Sequence, residues 1–171
     1  MFPMLHAYAD YGAASLLLGF AVWLILGRAA WVDARTGRVP DRLMLLGGVL
    51  ALLALGLAAQ AMPEGLRQFA FTVSTALLLG GAIWALNEIW FRLKGHDALG
   101  MGDAKWSMVA ALLFGPVPVL WGWWVAALLG LGFLAVARLR GRRVARLHFA
   151  PFLFAALTLV MLWQQAWPFW R

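Results

Sequence analysis

Gly95-His96-Asp97-Ala98-Leu99-Gly100-Met101-Gly102-Asp103-Ala104-Lys105 is the one long polar interruption in the middle third of an otherwise apolar chain. An ionisable group at membrane depth is expensive, and where one occurs it marks a functional site by default. Two glycines ahead of Asp103 remove side-chain bulk and let another backbone come close. The apolar run after this stretch decides the fold. From Ala104 to Ala137 there are about 34 residues, roughly 51 Å as one helix, too long for a single span of a hydrocarbon layer of about 30 Å. Lys105 stands at one end and Arg138, Arg140, Arg142 and Arg143 at the other. Positive charge collects on the cytoplasmic side, so both ends are cytoplasmic and the segment crosses twice. Gly115-Pro116-Val117-Pro118 is where it turns. The fourth helix then covers residues 103–115, about 20 Å, and its start lies inside the bilayer. Asp103 is thereby a recessed carboxylate in a partly unwound segment, which only surrounding protein or a water-filled cavity tolerates.

Composition agrees. The 171 residues are 64% hydrophobic and 12% charged, with a mean hydropathy of +0.83, whereas a soluble domain carries about 25% charge. Without cysteine there are no disulfides, thiolate metal sites or Cys nucleophiles. The net charge of +7 falls in short clusters between apolar runs, the pattern of membrane topology and lipid headgroup contact and not of a nucleic-acid-binding face. Further spans are expected over residues 12–32, 43–62, 69–91, 119–137 and 149–167. The fold class is therefore an all-α, polytopic bundle of about six transmembrane helices in a single domain. All Lys and Arg except Arg67 and Arg171 lie on one side in this arrangement, which puts both termini outside the cytoplasm.

Asp33, at the end of the first helix, and Asp103, at the start of the fourth, reach the same side at similar depth. Two carboxylates at close range share a proton, and such a pair suits amide hydrolysis: one takes a proton from water while the other donates to the scissile carbonyl. The plainer alternative is that Asp33 neutralises Arg35 or Arg38, and Asp103 neutralises Lys105. A third reading makes the pair a relay in a small transporter or ion-conducting subunit. Glu88 and Arg92, four residues apart, are expected to form a helical ion pair. His96 and His148 read as interfacial anchors. No full carboxylate ligand set accompanies Asp41 and Asp97, so no metal is expected. The glycines lack the Lys-Ser/Thr that a phosphate loop needs.

Asp33 followed by Val39-Pro40-Asp41 resembles the first motif of the type IV prepilin peptidases, in which an aspartate precedes Leu/Ile/Val-Pro-Asp/Asn by this interval. Gly100-Met101-Gly102-Asp103-Ala104-Lys105 is similar to their second motif, Gly-x-Gly-Asp-x-Lys, and His148-Phe149-Ala150-Pro151-Phe152 to the opening of their last helix. Trp106, His148 and Ala150 depart from the usual residues. The resemblance implies an intramembrane aspartic protease of the bacterial inner membrane. Asp33 and Asp103 would be catalytic, with no cofactor, and prepilins or pseudopilins would be cleaved at the cytoplasmic face for a type IV pilus or secretion system. Gly100 and Gly102 would admit the substrate backbone. Asp41, Asp97 and Glu88 would offer an acidic path to basic leaders, and Lys105 would meet an acidic substrate residue. Larger members also methylate the new N-terminus through an additional domain with paired cysteines; no such domain is expected in this chain.

Overall fold

In a computed structural model of the chain, residues 13–60, 63–96, 100–142 and 147–166 are described, and among them every regular element is helical. The helices are α1 (Ala13–Thr36), α2 (Asp41–Gln60), α3 (Gly65–Lys94), α4 (Met101–Phe114), α5 (Pro116–Leu139) and α6 (Ala150–Ala166). Four of them, α1, α2, α3 and α5, are long and apolar enough to cross a membrane.

The turn expected at Gly115-Pro116-Val117-Pro118 is present, and it separates two helices. Helix α4 ends at Phe114, Gly115 takes a φ of 84° that side-chain-bearing residues avoid, and α5 restarts with Pro116 in its first turn, where a missing N–H costs nothing. At 14 residues, α4 is about 21 Å long. The helix ends shift by one to four residues from the expected bounds, and two of these shifts bear on the aspartates. Helix α1 continues one turn past Val32, so that Asp33 lies within it; Gly37, with φ 67°, closes it through a 2.8 Å bond from its N–H to the Asp33 carbonyl. At the central motif, only Gly100 of the Gly-Met-Gly-Asp string is extended, and Met101, Gly102 and Asp103 form the first turn of α4.

Helix α4 is the axis of the bundle. It contacts all five other helices, and nine of its residues are buried. A helix apolar around its whole circumference belongs inside a bundle, and here small residues make that possible: Ala104, Ser107, Ala110 and Ala111 let neighbours approach closely. Gly47 of α2 packs on Val109, and Gly80 of α3 on Met108. The outer faces carry exposed Leu, Phe and Trp, among them Leu17, Leu78, Trp124 and Leu162, as lipid contact requires.

Trp106 anchors α4 to α1. Its ring is 1% exposed, and its indole N–H donates to the Leu26 carbonyl at 3.2 Å. On another side, Trp123 of α5 donates its indole N–H to the Ser107 hydroxyl at 2.9 Å. Replacing Trp106 by Ala should cost about 3–5 kcal/mol in thermal unfolding in detergent, through the cavity it leaves. Trp106→Phe, which loses mainly the hydrogen bond, should cost about 1 kcal/mol.

Candidate functional site

The turn from α1 to α2 is built by Gly37 and Pro40. The left-handed Gly37 redirects the chain, and the Pro40 carbonyl accepts from the N–H groups of Leu43 and Met44 to start α2. Val39, midway, points at the first turn of α4. A Cβ built on Gly102 would lie 2.7 Å from both Cβ and Cγ2 of Val39. Any side chain at position 102 collides there, so the glycine is required by the chain's own turn.

This contact sets two buried aspartates at one end of the bundle. Asp33 and Asp103 are each 7% exposed, line the same cavity of about 740 Å³, and lie close enough for the charge of one to act on the other. Asp103 is the third residue of α4. Its N–H donates to the Gly100 carbonyl at 2.9 Å, and its carboxylate accepts from the Gly100 N–H. The second contact is the acid half of a capping box, a carboxylate at the third helical position reaching back to the N–H that precedes the helix. Asp33 is addressed from a third helix: the Ala150 N–H at the start of α6 donates to its carboxylate, and the His148 imidazole acts on it electrostatically. The His148 ring fills the place that a side chain on Gly37 would take, with Cε1 2.8 Å from the position of a Cβ.

Gly100, Gly102, Asp41 and Lys105 line the same cavity as the two aspartates; Asp97 lies outside the described residues. Local charge neutralisation falls elsewhere. Lys105 binds Asp41, with Nζ 2.6 Å from Oδ1, and Arg35 lies over the Trp31 ring at 3.9 Å. Among the described residues, the ion pairs are Lys105–Asp41, Arg67–Glu64 and the expected Arg92–Glu88 at 2.8 Å. Two acids of the expected acidic path, Asp41 and Glu88, are thus each held by a cation. No group of three or more His, Asp or Glu that would suit a metal ion comes together among the described residues.

His148 is the residue that sequence reasoning undervalued. A lone histidine ahead of an apolar helix carries no signal of its own. Its meaning comes from packing on Gly37, far away in sequence.

With two buried aspartates held at one end of a helical membrane bundle, the comparison with known families is decisive: the model of the type IV leader peptidase family matches residues 17–139. The chain belongs to that family. It is a type IV leader peptidase-like protease, and the transporter and ion-relay reading falls away. The match spans both aspartates and the whole of α2 through α5, and stops short of His148. No curated protein and no solved structure matches the chain.

The Val39–Gly102 contact can be tested in this peptidase. Gly102→Ala should destabilise the bundle by about 1–3 kcal/mol, as overpacking does, and reduce cleavage. Adding Val39→Gly, which removes both colliding atoms, should restore most of the activity. A loss that Val39→Gly leaves untouched would mean that Gly102 serves the substrate and not the turn.

Proposed function

We propose that this protein is an aspartic endopeptidase of the bacterial inner membrane that removes the short leader of type IV prepilin-like precursors, for a pilus or a related secretion system. Asp33 and Asp103 are its catalytic pair. One observation carries the reading: two buried carboxylates, from α1 and α4, share one cavity in a member of a leader peptidase family. Neither is neutralised by an ion pair among the described residues.

The chemistry follows from two acids and one proton. The ionised carboxylate takes a proton from water as its oxygen attacks the scissile carbonyl, and the protonated one donates to the carbonyl oxygen. Collapse of the tetrahedral adduct breaks the C–N bond. A proton passes to the leaving amine, and the pair returns to its starting charge. The Gly100 N–H acts on the Asp103 carboxylate and the Ala150 N–H on that of Asp33, and fixed main-chain donors keep reorganisation during the transfer small.

Charge supports the orientation. Arg38 and Lys105 line the cavity, and Arg92, Lys94, Arg138, Arg140 and Arg142 follow at the ends of α3 and α5. This basic end faces the cytoplasm by the positive-inside rule, which puts the cavity there and both termini across the membrane. The whole chain acts as one membrane-embedded peptidase domain.

Co-expression with a prepilin-type precursor, read by a mobility shift, tests the pair. Asp33→Asn and Asp103→Asn should each lower cleavage by about a hundredfold or more while the protein still inserts; retained cleavage in either removes the proposal. His148 separates packing from charge. His148→Phe keeps a ring on Gly37 without the titratable group, whereas His148→Ala removes both. Both variants should slow turnover by about tenfold if charge beside Asp33 matters, about 1.4 kcal/mol in the barrier. His148→Phe at the wild-type rate would confine the residue to packing.

A further inference from the structure

The outward face of α1 changes character about two turns before the helix ends. Leu17, Phe20 and Leu24 recur on that face at helical spacing, all of them exposed. The same stripe continues with Arg28, Trp31 and Arg35, also exposed, while Leu26, Ala30 and Asp33 turn into the bundle. Arg28 stands eight residues before Thr36, where α1 ends, so its Cα is roughly 12 Å in from that end. A cation on a lipid-facing surface at such a depth is costly unless it reaches the interface or meets an opposite charge.

Both guanidinium groups converge on one ring. The Arg28 Cζ lies 4.2 Å and the Arg35 Cζ 3.9 Å from the centre of the Trp31 ring. Two positive charges at most about 8 Å apart repel one another, and neither forms an ion pair among the described residues. The described acids nearest in sequence are engaged elsewhere: Asp33 faces inward and accepts from the Ala150 N–H, and Asp41 holds Lys105. The cluster is thus a pair of cations gathered on an aromatic face with no anion of the chain between them.

We propose that Arg28, Trp31 and Arg35 form a binding site for the phosphate of an anionic phospholipid, in the leaflet nearer the aspartate cavity. A guanidinium presents its N–H donors in a planar fork that matches phosphate oxygens, and the two forks are close enough for one phosphate to accept from both. The indole is a common anchor at headgroup depth. The apolar stripe selects the source of the phosphate: a lipid brings acyl chains that lie along Leu17, Phe20 and Leu24, and a free phosphate brings nothing for them. The site is independent of the chemistry at Asp33, which points the other way from the same helix.

Full-length protein in mild detergent, titrated with lipid and read by native mass spectrometry, tests this. The first phosphatidylglycerol should bind about tenfold more tightly than phosphatidylcholine, whose choline cancels the phosphate charge. Arg28→Gln/Arg35→Gln should abolish that preference. Arg138→Gln/Arg140→Gln, which removes the same charge from the end of α5, should keep it. Arg28→Lys/Arg35→Lys retains both charges, and with them the topology signal, but gives up the forks; it should bind phosphatidylglycerol about threefold or more weakly than the native chain. Where the glutamine pair at 28 and 35 fails to insert, this lysine pair decides. Inorganic phosphate in hundredfold excess should leave the bound lipid in place; displacement would hand the site to a soluble phosphate and overturn the lipid assignment. Equal binding of the two lipids, equal losses from the two glutamine pairs, or full affinity in the lysine pair would each overturn the proposal. What would then be left is a general attraction between a basic surface and anionic headgroups.

Discussion

The approach of Val39 to Gly102 is the constraint on which the site depends. With 2.7 Å between the Val39 side chain and the place a Cβ would occupy, the α1–α2 turn sits on the backbone of α4. Asp33 precedes that turn by about a helical turn, and Asp103 follows Gly102 directly. Neither aspartate needs a specific bond to the other. Each is held by main-chain N–H groups, Ala150 for one and Gly100 for the other, and their proximity follows from a steric fit between a turn and a glycine. Rigid main-chain donors suit the catalytic role proposed for this pair, because they favour charge without a competing counter-ion.

Much of this was legible in the sequence. The number of helices, the shortness of the fourth, the turn at Gly115 and the placing of Asp33 and Asp103 at one end of the bundle all follow from counting residues against the bilayer and from asking where Lys and Arg fall. Those arguments work because lipid thickness and charge asymmetry are constraints that act on one residue at a time. The helix ends were less legible. Asp33 is helical because Gly37, four residues later, supplies a left-handed close, and the cluster of Asp, Arg, Thr and Gly there reads equally well as a loop.

The rest was hidden because it depends on pairs. The Lys105–Asp41 bond joins residues 64 positions apart, and each has nearer partners in sequence that would be just as plausible on charge alone. Arg35 turns to Trp31 instead of Asp33 because a flat aromatic face is at hand and a weakly hydrated guanidinium stacks on it well. His148 and the Ala150 N–H reach Asp33 through the packing of α6 on α1, which no local pattern encodes. The dipole of its own helix is therefore only part of what acts on Asp33, since a second helix start is aimed at the same carboxylate.

Helix α4 is too short to be held in place by the bilayer. Long helices answer a thicker or thinner membrane by tilting, and their ends follow the headgroups. Helix α4, enclosed by five others and pinned by the Trp106 indole to the backbone of α1, takes its depth from protein alone. Asp33 lies on α1, so the same indole bond ties the depth of Asp103 to the helix that carries its partner. As the surrounding membrane swells or thins, a tilt of α1 takes α4 with it, and the two acids shift together.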